Sequence, residues 1–220
     1  MTSSRIELAD ADIRYKPHWL AAAQADRLFA TLRDTIPWEH HRIVLFGRAM
    51  DAPRLSCWIG DADATYTYSR TRYLPHPWPD ALRTLRERLC EESGADFNGV
   101  LANLYRDGND SMGWHADDEP ELGARPVIAS VSLGATRRFV MRGRGVSAGK
   151  PDPAHRLAIE LGHGSLLWMA GDTQLHYRHA LPKTARVVGM RINLTFRKLG
   201  GGNPKKRVVK SLSHRESNSV

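Results

Sequence analysis

The chain contains little cysteine and has no long apolar run. Its two cysteines, Cys57 and Cys90, are far apart among 220 residues and form no Cys-x-x-Cys pair. This argues against a disulfide framework and favours a reduced, cytoplasmic protein in which both act as small buried apolar residues. No run of about 18 apolar residues is present, so no segment is expected to span a membrane. The N-terminus also lacks the apolar core of a secretory signal.

Acidic residues are fewer than basic ones. The chain has 24 Asp and Glu against 32 Lys and Arg, a formal net charge of +8. Such an excess favours polyanionic partners such as nucleic acids. Part of it lies in residues 200–220, which open with three glycines and carry five Lys or Arg and one acidic residue. This composition predicts a disordered basic tail, which either contacts nucleic acid non-specifically or only keeps the chain soluble.

The length and the 41% hydrophobic content predict one globular domain over residues 1–199. Apolar residues at helical spacing predict helices over about 18–36 and from about Asp80 to a C-cap at Gly94. Residues 42–69 favour strands and hairpins, and from residue 99 onward the segments are short, β-rich and separated by Gly and Pro. The pattern predicts a mostly β (α+β) fold, a β-sandwich or jelly roll over 99–199, buttressed by helices within 1–98.

The segment "SMGWHADDEPE" (111–121) places one histidine among four acidic residues. A solvated loop would explain the acids, but it would not require the histidine. On a strand, residues two apart face the same side, so His115 and Asp117 would point at one place. One further histidine would complete a 2-His-1-carboxylate triad for Fe(II). The downstream candidates are His155, His163, His176 and His179.

The segment "MRINLTFRK" alternates polar and apolar residues. The polar positions are Arg191, Asn193, Thr195 and Arg197, and the apolar ones are Ile192, Leu194 and Phe196. Arginines that point into a barrel need an anionic partner. A small dicarboxylate fits, because guanidinium binds carboxylate in a bidentate way. The alternative is a half-exposed strand whose arginines face water.

Taken in order, these motifs resemble those of the AlkB-type family of Fe(II)/2-oxoglutarate dioxygenases, which repair alkylated bases. The resemblance covers most of residues 40–198 and is closest to the branch that acts on duplex DNA. The matching segments are "NLYRDG", "WHADDE", "GSLLWMAGDTQLHYRHALP" and "RINLTFRK". It implies a double-stranded β-helix, with iron held by His115, Asp117 and His179. His179 is preferred over His176 because the family's ligand lies just before a short segment that ends in proline, here "HALP".

The resemblance also implies a set of co-substrate contacts and cofactors. One of the two arginines would lie near the metal and the other at the distal carboxylate of 2-oxoglutarate. The cofactors implied are Fe(II), 2-oxoglutarate as co-substrate and O2, with ascorbate as the reductant in vitro. The implied 2-oxoglutarate contacts are Asn103, Tyr105, Arg191, Asn193, Thr195 and Arg197.

On the substrate side, the resemblance implies a base pocket in the hairpin "ATYTYS". A flipped base needs an aromatic face and polar groups, and Tyr68 would form a sandwich with His115. Carboxylates near the pocket would favour cationic bases such as N1-methyladenine and N3-methylcytosine. The alternatives are tyrosines that only pack a sheet and acids in a solvated loop. The implied pocket residues are Tyr66, Tyr68, Ser69, Asp118 and Glu119.

The hairpin "RIVLFGRAMDAPR" resembles the family's hydrophobic finger. Leu45, Phe46 and Gly47 would form its tip, an apolar wedge that enters the base stack. The alternative is that Phe46 belongs to the core. Arginines around the tip suit contact with phosphates, although exposed arginines are common in any protein. These arginines are Arg42, Arg48 and Arg54.

The activity implied is oxidative demethylation of alkylated bases in DNA, with release of formaldehyde, succinate and CO2. The alternatives are a related oxygenase that acts on RNA or another substrate, and a non-catalytic nucleic-acid-binding module. No membrane and no obligate protein partner is implied. The expected location is the cytoplasm, in association with the nucleoid in a bacterium, or the nucleus in a eukaryote.

Overall fold

The structure is a computed structural model that describes residues 4–45, 48–68, 71–144 and 155–200. The α-helices are α1 (Ala22–Thr35), α2 (Asp80–Ser93) and α3 (Thr173–His176). The first seven strands are β1 (Ser4–Ile6), β2 (Asp12–Lys16), β3 (Glu39–Leu45), β4 (Arg48–Gly60), β5 (Tyr66–Tyr68), β6 (Thr71–Tyr73) and β7 (Gly99–Tyr105). The other seven are β8 (Met112–His115), β9 (Ile128–Gly134), β10 (Arg137–Gly143), β11 (Arg156–Leu161), β12 (Ser165–Ala170), β13 (Tyr177–Leu181) and β14 (Arg191–Arg197).

Two antiparallel sheets form the body of the protein. The major sheet has eight strands in the order β1-β2-β12-β9-β14-β7-β4-β3, and the minor sheet has four in the order β11-β10-β13-β8. A separate hairpin pairs β5 with β6. This arrangement confirms the predicted jelly roll. Four of the eight major strands come from residues before 99, so the N-terminal part of the chain is continuous with the β core.

The predicted helices cover one face of the major sheet. Leu32 of α1 and Leu82 of α2 are buried in one cluster with Ile192, Leu194 and Phe196 of β14. The apolar half of the alternating strand therefore faces the helices. Its polar half is turned toward the minor sheet, because neighbouring strand residues face opposite sides.

The helix boundaries follow local backbone signals. The first helix begins at Ala22 rather than near 18, because Ala21 is extended (φ −61°, ψ 145°). The second ends as predicted: Gly94 adopts the left-handed conformation (φ 70°) and its N–H donates to the carbonyl of Cys90.

A second core lies between the two sheets. It joins Ile13 of β2 and Leu167 of β12 to Phe139 and Met141 of β10 and Tyr177 of β13. The strand β2 pairs with β12 and so extends the major sheet at one side. The N-terminal segment therefore contributes a strand to the fold that the sequence analysis did not predict.

The end of the described chain is tied to the body. Asn98 donates through Nδ2 to the carbonyl of Leu199 and accepts from its N–H through Oδ1. Residues 201–220 lie outside the described residues, so the disordered tail stays a prediction. Within the described ranges, none of the helices combines the length and the apolar character needed to cross a bilayer.

Candidate active site

Two histidines and one aspartate meet between the sheets. His115 ends β8, His179 lies in β13, and the two residues are direct partners in the strand register. Their ring centroids are 4.2 Å apart. Asp117 Oδ2 lies 4.0 Å from His179 Nε2, and one donor atom from each residue lies within 4.8 Å of the others. A single cation among them would be within reach of all three.

The predicted reason for the position of Asp117 is wrong. Strand β8 ends at His115, so strand alternation does not orient Asp117. Two tertiary hydrogen bonds hold it instead. Its N–H donates to Gln174 Oε1 at 3.0 Å, and Arg197 Nη2 donates to its Oδ1 at 2.7 Å. The sequence pattern did not reveal Gln174, which carries no motif of its own.

The protonation states of the three residues suit metal binding. Burial lowers the pKa of His179 to about 3, and the neighbouring His115 adds to this shift. Burial also lowers the pKa of His115. Burial alone would raise the pKa of Asp117, but Arg197 and the two histidines outweigh it and bring it to about 2. At neutral pH the site therefore holds two neutral imidazoles and a carboxylate, the forms that bind a cation.

The donor arrangement fits iron. The carbonyl of Gly113 lies 2.9 Å from His115 Nδ1 and can only accept, so Nδ1 carries the proton and Nε2 keeps its lone pair. Asp117 Oδ2 is buried and accepts no hydrogen bond from the described residues. A buried oxygen without a donor is costly, and a cation would relieve that cost. Two imidazoles and one carboxylate are the donor set of non-haem Fe(II) sites.

A second feature of the same pocket is a buried cation. Arg191 is 2% exposed, and its Cζ lies 5.2 Å from the centroid of the Tyr105 ring. Its Nη2 donates to Ser132 Oγ at 2.9 Å, whereas Nε and Nη1 are buried without an acceptor among the described residues. Burial lowers the pKa of Arg191 to about 10, so it stays charged at neutral pH. A buried guanidinium with unused donors calls for an anion.

Both features face one pocket of about 460 Å³, counting the solvent at its mouth. Arg197 is also 2% exposed, so the alternative of water-facing arginines does not hold. The polar lining is His115, Asp117, His179, Asn103, Tyr105, Ser130, Arg191, Asn193, Thr195 and Arg197.

Asn193 and Thr195 belong to a polar chain along the wall of this pocket. Asn193 Nδ2 donates to Ser130 Oγ at 2.8 Å, and Thr195 Oγ1 donates to Asn193 Oδ1 at 3.1 Å. These bonds fix the orientation of the Asn193 amide. All six residues predicted to contact the co-substrate therefore lie around the same pocket.

The other candidate histidines lie elsewhere. His176 is exposed, as expected for a wall or surface residue. His163 accepts from the N–H of Gly134 through Nδ1, and His155 stacks on Tyr177 with ring centroids 6.5 Å apart. None of these three lines the pocket.

Three residues predicted for substrate contact are described outside the pocket lining. Asp118 is exposed and accepts from Arg144 Nη2 at 2.7 Å, and Glu119 is half-buried just before a short 3-10 turn. Arg54 is only 6% exposed and donates through Nε to Asn103 Oδ1 at 2.9 Å. The predicted phosphate contact of Arg54 does not fit this position, because its guanidinium is turned inward.

The remaining predicted contacts are Leu45, Phe46 and Gly47 for the finger, and Tyr66, Tyr68 and Ser69 for the base pocket. Phe46, Gly47 and Ser69 lie outside the described residues. Leu45 ends β3, and Tyr66 and Tyr68 lie in β5. The finger and the base sandwich therefore stay predictions.

Comparisons with known proteins agree with this geometry. The model of the 2OG-Fe(II) oxygenase superfamily matches residues 12–197. The human alpha-ketoglutarate-dependent dioxygenase alkB homolog 3 is 41% identical over 184 residues, which cover 82% of this chain and 64% of that protein. The mouse DNA oxidative demethylase ALKBH2 is 40% identical over 181 residues, 80% of this chain and 76% of that protein.

Two further comparisons complete the assignment. Human DNA oxidative demethylase ALKBH2 is 42% identical over 183 residues, 80% of this chain and 69% of that protein. A solved structure of OsALKBH1 matches with a TM-score of 0.55 at 16% identity, over 90% of this chain and 100% of that chain, and supports the fold alone. The alignments span slightly under two thirds of the human and rat alkB homolog 3 proteins. The chain belongs to the 2OG-Fe(II) oxygenase superfamily and, within it, to the AlkB-type family.

Proposed function

We propose that this protein is an Fe(II)/2-oxoglutarate dioxygenase that oxidatively demethylates alkylated bases in DNA. Its substrates would be N1-methyladenine and N3-methylcytosine, and its products the repaired base, formaldehyde, succinate and CO2. One observation carries the proposal: a single pocket holds a His-Asp-His cluster and, on its major-sheet side, a buried arginine for which the described residues supply no anion.

In this proposal His115, Asp117 and His179 hold the iron. Bound Fe(II), with 2-oxoglutarate and O2, supplies the oxidising chemistry, and ascorbate keeps the iron reduced in vitro. The protein's own part is orientation. Arg197 occupies Asp117 Oδ1, which leaves Oδ2 as the oxygen free to face the cation.

Arg191 would bind the distal carboxylate of 2-oxoglutarate. Its unused Nε and Nη1 donors suit a bidentate contact, and the Tyr105 ring keeps the guanidinium in place. Asn103, Tyr105, Asn193 and Thr195 would add contacts along the wall. Apolar side chains complete the lining and limit the entry of water. They include Leu101, Phe139, Leu161, Met169 and Leu181.

A row of arginines supports a nucleic acid as partner. In the minor sheet Arg142 is the register partner of both Arg156 and Arg178, so the three lie abreast on its outer face. Trp114 joins them, with its ring 4.2 Å from Arg142 Cζ. Among the described residues no carboxylate forms an ion pair with this row. Phosphates are the natural counter-charge, and an exposed aromatic ring is a stacking surface.

For base recognition we propose the hairpin residues Tyr66, Tyr68 and Ser69, with Asp118 and Glu119 as counter-charges. The pair of Asp118 with Arg144 would have to open before this carboxylate faces a cationic base. Leu45, Phe46 and Gly47 are proposed as the wedge. The location follows from the partner: the cytoplasm, the nucleoid or the nucleus, wherever the cell keeps its DNA.

The test is mass spectrometry of methylated oligonucleotides after incubation with the protein, Fe(II), 2-oxoglutarate and ascorbate. Single-stranded DNA, duplex DNA and RNA are compared. We expect methyl groups to be lost from DNA only when iron and 2-oxoglutarate are both present. Loss from RNA alone would favour the alternative substrate. An anaerobic titration that gives no charge-transfer band would argue for the non-catalytic binding module.

A further inference from the structure

Arg54 is a buried cation without a buried anion. It lies in β4, is 6% exposed and forms no ion pair among the described residues. Its Nε donates to Asn103 Oδ1 at 2.9 Å, and its Nη1 lies 3.4 Å from the carbonyl of Ser111. Burial of a guanidinium is costly. A phosphate contact at the surface does not account for this position.

The bond to Asn103 fixes the orientation of an amide inside the pocket. A guanidinium can only donate, so the oxygen of the Asn103 amide must face Arg54 and its Nδ2 must face away. Asn103 is 1% exposed and lines the pocket together with His115, Asp117 and Arg197. Its Nδ2 donates to no acceptor among the described residues. The pocket thus contains one donor, Asn103 Nδ2, whose orientation is set by Arg54, a residue outside the pocket lining.

We propose that Arg54 is a positioning residue that holds the Asn103 amide so that Nδ2 donates to a carboxylate oxygen of 2-oxoglutarate in the pocket. This inference rests on the proposed function. Without Arg54 the amide is free to turn its oxygen toward the pocket, where it would repel the carboxylate. Arg54 therefore favours an anionic ligand without touching it.

Arg54 also connects three separate parts of the site. Strand β4 belongs to the hairpin that would carry the substrate finger, and Ser111 directly precedes β8, which ends at His115. The N–H of Ser111 also donates to the carbonyl of Pro53 at 2.9 Å. One side chain thus joins the substrate hairpin, the co-substrate wall and the approach to the first metal ligand.

The first test is Arg54→Met, which keeps much of the volume and removes every donor. The 2-oxoglutarate affinity of the full chain loaded with Mn(II) is measured by calorimetry, and Mn(II) affinity is measured separately. We expect about three- to ten-fold weaker 2-oxoglutarate binding, the value of one hydrogen bond, with Mn(II) affinity unchanged. In turnover the KM for 2-oxoglutarate should rise more than kcat falls, and Arg54→Lys should recover part of the loss.

The matched control is Arg27→Met, which removes an exposed arginine of α1 and should leave 2-oxoglutarate binding as in the wild type. If Arg54→Met binds 2-oxoglutarate normally but binds an unmodified oligonucleotide more weakly, Arg54 contacts phosphate and the proposal is overturned. A wild-type protein that does not bind 2-oxoglutarate at all would instead refute the proposed function.

A second variant covers the case in which Arg54→Met fails to fold. Asn103→Asp keeps the acceptor for Arg54, with a carboxylate that pairs with it, but replaces the donor Nδ2 by an oxygen. We expect a stable protein whose 2-oxoglutarate binding is weakened at least as much as by Arg54→Met. Wild-type affinity in Asn103→Asp would exclude donation by Nδ2. Where both single variants fold, their losses should combine less than additively, because they remove one contact.

Discussion

The carboxylate and the two arginines of the pocket lie in two different electrostatic settings. Asp117 and Arg197 form a buried ion pair at 2.7 Å beside the two histidines. Arg191 rests on Tyr105 and Ser132 and has no carboxylate partner among the described residues. In the first setting the protein supplies both charges itself, and only a cation is needed. In the second setting, the charge of Arg191 has no counter-charge until an anion binds. Removal of the Asp117 charge should therefore destabilise the metal-free protein, whereas removal of the Arg191 charge should not.

The largest effect is expected from His179→Ala. Loss of one of three ligands should abolish turnover and weaken Mn(II) binding by more than about 100-fold. This exceeds the usual effect of mutating a residue that only hydrogen-bonds to a metal ligand. The fold should persist, because the change shortens one side chain in β13. His176→Ala, at an exposed position three residues earlier, is the control. Substantial 2-oxoglutarate-dependent demethylation by His179→Ala would reject the ligand assignment.

Asp117→Asn tests the first setting directly. The substitution keeps the shape but removes the negative charge that pairs with the buried Arg197. Breaking a buried pair in this way typically lowers the free energy of unfolding by about 3–5 kcal/mol. Urea unfolding of the metal-free protein measures it. A loss below about 1 kcal/mol would mean that the pair is more hydrated than its burial indicates.

Arg191→Met tests the second setting and should give the opposite result. Removal of a buried, unpaired charge should leave the metal-free protein as stable as the wild type, or more stable. In contrast, 2-oxoglutarate affinity should fall by about 100-fold, because two charge-assisted hydrogen bonds are lost. Calorimetry with Mn(II)-loaded protein gives the affinity, with Arg138→Met on the exposed face of β10 as control. If Arg191→Met strongly destabilised the metal-free protein, Arg191 and Asp117 would not differ in the way proposed.

The smallest effect is the pH dependence of stability. The folded-state pKa of His179, about 3, lies below its unfolded value of 6.5. Below pH 6.5 the unfolded chain therefore takes up a proton that the folded state refuses, and the free energy of unfolding falls toward pH 3. One such group contributes at most about 1.4 kcal/mol per pH unit. His179→Ala should show a shallower decline than the wild type between pH 6.5 and 4.5 in the metal-free protein. Equal slopes would mean that His179 is protonated in the folded state.

The sequence predicted those parts of the fold that depend on short-range patterns. The alternation in β14 correctly separated Ile192, Leu194 and Phe196 from the pocket-facing residues, since a strand has a period of two. The Gly94 cap of α2 was also predicted from a local signal, a glycine directly after the helical pattern. The motif placed Asp117 beside the histidines, as the structure has it, but its position depends on Gln174 and Arg197, which are 57 and 80 residues away.

Long-range contacts explain what the sequence did not reveal. Strand β2 buries only Ile13 fully, and it becomes a strand through its pairing with β12, at least 150 residues later. Arg54 was expected to contact phosphate at the surface because it lies near the implied finger in the sequence. Its partner Asn103 is 49 residues away, and no local pattern marks that contact.

The short strand that ends at the first metal ligand has a consequence for local opening of the protein. Strand β8 has four residues, lies at the edge of the minor sheet and pairs only with β13 in the described part of the chain. A cation bound by both His115 and His179 would link this edge strand more firmly to β13. Amide deuterium uptake over 112–115 should therefore slow when Mn(II) is added, whereas uptake in the central strand β14 stays the same. Metal binding could then be detected as slower deuterium uptake in β8, before any substrate is present.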